Sequence, residues 1–456
     1  MLVATLLLGL LAASVFSVDA AAPKNGSVRL TAGVPMRHRL IKAGKYAEYL
    51  ELKEKLRVFS ADAVRNKFAQ PVDDVEDMIY YAKVHIGSPA QEFMVVLDTG
   101  SANLWIPDST CAPHQVQAPP KDCPSFCKAL EGETCSQFCD HECCAHSEHN
   151  LYHKIANLLV KGDASGGDDP EPVDACKKKN KFDSTKSLTY VQDGRPFKIA
   201  YGTGSAKGFF GKDVVCFHPT NLCIPDQTFG QATSLAPFFA DQPIDGILGL
   251  GFGAIAVGKV TPPFINAVDE KLVEMPLFTV YMARSGLRHI EEGGWFTYGG
   301  LDEAHCGEVI AYEPLSSASF WQFNLLAVEA GEYKLTQKSQ AISDTGTSLI
   351  AGPEAIIEKI AASVGATYNK EYQSFVIDCK NRGPDVVFTI GDNKYEVTHD
   401  DYTVKVADDV CEFGLFAFGG GGYGPQWILG DPFLRAYCNI HDVAQKRIGF
   451  AKPLKH

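Results

Sequence analysis

The chain has 456 residues, 45% of them hydrophobic and 21% charged, with 41 Gly, 25 Pro and 14 Cys. That length exceeds the roughly 250–300 residues at which a single core stops growing, and the balance excludes a disordered or fibrous chain. A formal charge of −13 argues against nucleic-acid binding through a broad basic surface, and fourteen cysteines point to an oxidising compartment.

The apolar run from Leu2 to Val18 carries no charge and is followed by Ala20, Ala21 and Ala22. It reads as a secretory signal peptide over residues 1–20 that lacks the usual basic start. A membrane anchor is the other reading, and the run falls short of the roughly 20 residues a span needs. No later segment is long and apolar enough to cross a membrane, so a soluble product of the secretory pathway is expected.

Residues 21–70 hold eleven Lys and Arg against Glu48, Glu51, Glu54 and Asp62, a net +7 that leaves −19 for the chain beyond them. Tyr46 to Leu56 alternates charged and apolar residues at helical spacing. A basic, partly helical arm ahead of an acidic body reads as a removable electrostatic cover, against the plainer reading of a solvated tail.

From about Met78 the pattern changes to short β-type runs broken by Gly and Pro, among them Tyr80 to Ile86, Phe93 to Leu97, Phe278 to Met282, Val386 to Ile390 and Ile448 to Phe450. These predict a largely β protein. Only Pro262 to Leu272 and Pro353 to Ala362 show a helical period, as peripheral helices would.

The body contains a repeat. Asp98-Thr99-Gly100-Ser101 follows the apolar Met94 to Leu97, and Asp344-Thr345-Gly346-Thr347 follows Ala341-Ile342-Ser343. Each is answered downstream by an apolar-apolar-Gly triplet, Ile247-Leu248-Gly249 and Ile428-Leu429-Gly430, at separations of 151 and 86 residues. The mismatch has a visible source. Between Cys111 and Cys176 lie 64 residues of foreign composition, with His114, His141, His146, His149, His153 and a Gly/Asp/Pro-rich stretch. Without them the first separation becomes 87. The sequence therefore predicts two homologous lobes, the first interrupted by a cysteine-bounded insertion.

One Asp-Thr-Gly is weak evidence, because turns also contain Asp beside Gly. Two copies in matching contexts require two carboxylates face to face across a pseudo-twofold axis. Gly100 and Gly346 let the backbone turn and aim an N–H at each carboxylate. The hydroxyls of Thr99 and Thr345 can lock onto the opposite lobe's backbone, and those of Ser101 and Thr347 can donate to the outer carboxylate oxygens. Carboxylates this close share a proton, so one serves as base towards a water while the other donates to a carbonyl oxygen.

With these motifs the chain resembles a pepsin-family aspartic protease zymogen over everything except the signal peptide and the insertion. The resemblance implies an all-β, bilobal, pepsin-like fold, with a prosegment over 21–72, a first lobe over 73–307 carrying the insertion 112–175, and a second lobe over 308–456. It implies that Asp98 and Asp344 are the catalytic pair and that Tyr201, Gly202 and Thr203 form the tip of a flap closing over substrate, Tyr201 being bonded to Trp105. Phe238 and Ile247 fall where the family lines its main apolar specificity pocket, ordinary core being the alternative. Arg65-Asn66-Lys67-Phe68 resembles the end of the family's prosegment, where Lys67 would pair with both aspartates until acid releases it; a surface lysine in a linker is the alternative.

The resemblance also implies disulfides Cys379–Cys411 and Cys111–Cys176. The family's third bridge is absent, since Glu332 to Ala341 has no Cys. The chain offers instead Cys216 with Cys223, as a hairpin bridge, and Cys306 with Cys438, between neighbouring strands of an interlobe sheet. Inside the insertion, Cys123, Cys127, Cys135, Cys139, Cys143 and Cys144 allow fifteen pairings; disulfides are favoured over zinc ligation. An insertion there loosely resembles some nematode members of the family.

The expectation is an endopeptidase for polypeptide substrates that works in acid, is sensitive to pepstatin-type inhibitors and is made as an autoinhibited monomer. It needs no metal or organic cofactor. A pepsin-like fold kept as a catalytically silent binding protein is the alternative. Asn25-Gly26-Ser27 is the only N-glycosylation sequon, and it lies in the arm. That tilts the expectation from a lysosome towards secretion into an acidic lumen.

Overall fold

Alternating apolar residues in Tyr80–Ile86 and Gln91–Asp98 make a hairpin whose inward side chains, Val84, Ile86, Phe93 and Val95, are all buried. The computed structural model describes residues 26–32, 80–112, 174–201, 204–218, 222–283, 293–380, 382–407, 409–418 and 425–454 with a few isolated positions. Expected features in the signal segment, in the rest of the arm including Lys67, in the insertion between 113 and 173, and at Gly202 and Thr203 lie outside the described residues. The described body is mostly strand and forms a bilobal, all-β, pepsin-like fold.

The two lobes repeat one strand arrangement. In the first, Gln91–Asp98 runs parallel to Gly246–Gly249, pairing Asp98 with Gly249, and Leu104–Pro107 lies antiparallel on the other side of that short strand. In the second, Tyr333–Ser343 runs parallel to Trp427–Leu429, pairing Ser343 with Leu429, and Ile350–Gly352 takes the antiparallel place. The two apolar-apolar-Gly triplets thus lie beside the two Asp-Thr-Gly turns. Their closing glycines are required by contact: a Cβ on Gly249 would stand 2.5 Å from the Ala102 nitrogen, and one on Gly430 2.1 Å from the Thr347 carbonyl oxygen.

Helices are few and short. Pro263–Asp269 falls within the first segment of helical period and Glu354–Val364 overruns the second by two residues, while Asp431–Ala436, contrary to the expectation of peripheral helices, is wholly buried. Glu354–Val364 buries Ile357, Ile360, Ala361 and Val364 and ends at Gly365 with φ of 82°.

A platform of strands ties the lobes together. Its order is Cys306–Pro314, Arg447–Pro453, Cys438–Asp442, Leu277–Met282 and Gly294–Tyr298, so the chain's last strands return to pair with strands well over a hundred residues earlier. Gly26–Ala32, a strand from the basic arm, continues the platform by pairing with Gly294–Tyr298 and reaches Tyr80–Ile86 through Thr31 and Ala32. Above it Trp321 packs 4.7 Å from Phe252 and donates from Nε1 to the Leu250 carbonyl at 3.0 Å, joining second lobe to first.

Four disulfides stand among the described residues. Cys111–Cys176 closes the base of the insertion, Cys216–Cys223 staples a hairpin, Cys306–Cys438 joins not neighbouring strands, as expected, but the two that flank Arg447–Pro453, and Cys379–Cys411 braces the four-stranded sheet of the second lobe.

Candidate active site

Asp98 ends the strand Gln91–Asp98 and Asp344 follows Tyr333–Ser343, so each carboxylate is presented at the mouth of a parallel strand pair. Only 6% of Asp98 and 5% of Asp344 is exposed. Their donors match across the pseudo-twofold axis. The Gly100 amide donates to Asp98 Oδ1 at 2.8 Å and the Ser101 hydroxyl to Oδ2 at 2.5 Å. The Gly346 amide donates to Asp344 Oδ1 at 2.9 Å and the Thr347 hydroxyl to Oδ2 at 2.7 Å.

The intervening threonines cross from lobe to lobe. Thr99 Oγ1 donates to the Ser343 carbonyl at 2.9 Å and accepts from the Thr345 amide at 3.0 Å. Thr345 Oγ1 donates to the Leu97 carbonyl at 2.6 Å and accepts from the Thr99 amide at 3.0 Å. Each hydroxyl is thereby fully used in a buried setting, which fixes the two turns relative to one another. The approach is so close that a Cβ on Gly100 would lie 2.5 Å from Asp344 Oδ1, and one on Gly346 2.5 Å from Asp98 Oδ1. Only glycine fits either place.

This geometry sets the electrostatics. Burial first, and then the charge of Asp344, hold the Asp98 carboxyl far above the ordinary carboxylate range; burial raises Asp344 as well, against the donors from Thr347 and Gly346. Two carboxylates this close in a low-dielectric site do not both ionise near their usual pKa. Such a pair can accept a proton from one reactant and donate one to another.

A hairpin joins Val191–Tyr201 to Gly204–His218. It brings the Tyr201 hydroxyl to the fully buried Trp105, whose Nε1 donates to it at 2.8 Å. Burial and the nearby Asp98 charge raise the Tyr201 pKa, keeping the phenol neutral. Phe238 is half-buried in the short helix Pro237–Asp241, and Ile247 is buried; both join the apolar cluster that contains Trp105 and Tyr201.

Residues 79–453 match the family model of the eukaryotic aspartyl proteases. The chain belongs to that family. It is 39% identical to aspartic protease 10 of Caenorhabditis elegans over 92% of this chain and 94% of that one, and 39% identical to aspartic protease 2 of Necator americanus over 100% and 99%. Embryonic pepsinogen of Gallus gallus is 32% identical over 84% and 83%. As a family member this aspartyl protease is an aspartic-type endopeptidase acting on polypeptides.

The protease's site includes supports that the motif reading leaves out. Ser343 and Leu97 supply the carbonyls that receive the crossing threonines. Asn103 clasps Val257 in both directions, its Nδ2 donating to the carbonyl at 3.0 Å and its Oδ1 accepting from the amide at 2.8 Å. Phe239 packs edge-on to Trp105 at 5.2 Å. The sequence signal for each was position only: residues just before or after the Asp-Thr-Gly turns, and one neighbour of Phe238.

Proposed function

We propose that this endopeptidase cleaves internal peptide bonds in acid through a water held between Asp98 and Asp344. The observation that supports this best is the shared, buried carboxylate pair with its matched donors. One carboxylate takes a proton from the water, whose oxygen bonds to the scissile carbonyl carbon, while the protonated partner donates to the carbonyl oxygen. The resulting diol collapses when one carboxyl gives its proton to the amide nitrogen, the other carboxylate takes a proton from a diol hydroxyl and the C–N bond breaks, returning the pair to its single-proton state. Gly100 and Gly346 keep the space between the carboxylates open, and the crossed threonines hold it constant. Tyr201 and Trp105 bound the cleft on the flap side, and Phe238 with Ile247 offers an apolar wall for a large side chain beside the scissile bond.

The arm completes this reading. Residues 21–72 act as an inhibitory prosegment on a signal-bearing precursor, with Lys67 seated against the aspartates until acid protonates its partners. Export to an acidic lumen or lysosome follows from the signal run and the cysteine usage. The test is to acidify purified precursor with an unfolded protein substrate, with and without pepstatin. Acid-triggered, pepstatin-sensitive cleavage is expected, and Asp98→Asn should lower kcat by at least about a thousandfold. Cleavage that is absent, or equal in parent and variant, would leave the silent binding protein as the better reading.

A further inference from the structure

Away from the catalytic pair, three adjacent strands of the first lobe's sheet place two imidazoles and a carboxylate together. The central strand Tyr80–Ile86 pairs with Gln91–Asp98 on one side, setting His85 directly opposite Glu92. On its other side it pairs with Gly204–His218, setting Lys83 opposite His218 and His85 opposite Cys216. Side chains two apart share a face, so His85, Glu92 and His218 project together from the side opposite Val84, Phe93 and Phe217, which are buried.

From this geometry we propose that His85, Glu92 and His218 form a zinc site across those three strands. One ligand atom from each lies within 4.8 Å of the other two. Zinc bonds of about 2.0–2.1 Å in tetrahedral array separate neighbouring ligand atoms by roughly 3.3 Å. His85 Nε2 and Glu92 Oε2 are already 3.4 Å apart, and the His85 and His218 rings stand with centroids 4.3 Å apart. The backbones are fixed by strand pairing on both sides, so the remaining gap would be closed by side-chain rotation.

Two further features suit the site to zinc. The other carboxylate oxygen, Glu92 Oε1, is held at 2.8 Å by Lys83 Nζ, leaving Oε2 aimed at the histidine; such an outer partner orients a ligand. The nearby sulfurs cannot compete, since Cys216 and Cys223 are bonded to one another. Three protein ligands leave a fourth position for water. Glu92 precedes Asp98 by six residues on one strand, about 20 Å at 3.4 Å per residue, so the ion would staple the sheet and take no part in peptide hydrolysis.

The test is equilibrium dialysis of full-length, chelator-stripped protein against ZnCl2 at pH 7.5, where imidazoles are largely neutral, combined with thermal unfolding with and without zinc. The parent is expected to bind one zinc per chain more than the double variant His85→Ala/His218→Ala and to unfold at a higher temperature when zinc is added. Glu92→Gln, which removes a ligand, should weaken that zinc more than Lys83→Gln, which removes only the outer partner and should weaken it about tenfold. Comparing parent with variants separates this site from any zinc held by the insertion's own Cys and His. Equal zinc stoichiometry and equal thermal shift in parent and double variant would overturn the proposal. Should the double variant fail to fold, His218→Gln alone decides by the same comparison.

Discussion

At the scale of single residues, the carboxylate pair and the two crossing threonines do different work. Truncating Thr99 to alanine leaves the Ser343 carbonyl and the Thr345 amide without their cross-lobe partner. Buried groups left unpaired cost about 1–3 kcal/mol each, so Thr99→Ala should lower stability by roughly 2–6 kcal/mol. Thr99→Ser keeps the hydroxyl and should recover most of it, as denaturant midpoints would show. The aspartates act in the opposite sense. Their folded pKa values lie above the unfolded value near 3.9, so the native state keeps a proton that the unfolded chain gives up. That contribution is complete below about pH 4 and is lost as pH rises towards the raised pKa, at about 1.4 kcal/mol per pH unit within the window. The mature form should therefore unfold at lower urea at pH 7 than at pH 4.5, and Asp98→Asn should flatten the difference. An unchanged slope in the variant would remove the carboxylate pair as its cause.

At the scale of elements, what the sequence made legible was repetition and what it hid was pairing over distance. The strands Tyr80–Ile86 and Val386–Ile390 have the limits that their alternating residues predict. The two triplets ending at Gly249 and Gly430 were visible as partners of the Asp-Thr-Gly motifs because both copies break the same local rule, Gly after a buried apolar pair. Their parallel registers were not visible, because a parallel partner is set by a crossover of many residues and carries no turn signal of its own. The strand Gly26–Ala32 was hidden differently: Val28, Leu30 and Ala32 do alternate, but the basic residues around them dominate the segment's character. His85, Glu92 and His218 escaped notice because more than 120 residues separate the third from the others. The close approach at Gly430 yields a sharp prediction. Its would-be Cβ meets the Thr347 and Leu349 carbonyl oxygens at 2.1 and 2.3 Å, and these belong to the turn that carries Asp344, where the Thr347 carbonyl is already held by the Asp431 amide at 3.1 Å. Gly430→Ala should cost at least about 3 kcal/mol and displace Thr347, which holds Asp344. Stability and kcat should fall together; a fully active, fully stable variant would mean that the turn tolerates more than its contacts imply.

At the scale of the whole molecule, charge and strand pairing would hold an inhibitory arm in separable ways. The arm carries +7 and the chain beyond it −19, and 1 M salt reduces the reach of any attraction between them to about 3 Å against about 10 Å at 0.1 M. The strand Gly26–Ala32 is held by backbone hydrogen bonds to Gly294–Tyr298 and, at Thr31 and Ala32, to Tyr80–Ile86. Those bonds carry no net charge and are nearly indifferent to salt. If the arm is an inhibitory prosegment, release in acid needs the body's carboxylates to lose charge, and salt partly substitutes for that loss. Raising NaCl from 0.1 to 1 M should therefore move the midpoint of precursor activation to higher pH without releasing the arm at neutrality, where the strand pairing persists. The measurement is the fraction of precursor converted across a pH series at each salt concentration, read on gels. A midpoint indifferent to salt would assign retention to the strand and to close contacts in the cleft; conversion at pH 7 in high salt would assign it to long-range charge alone. Only the intermediate outcome fits an arm anchored at one end by a sheet and along the rest by attraction.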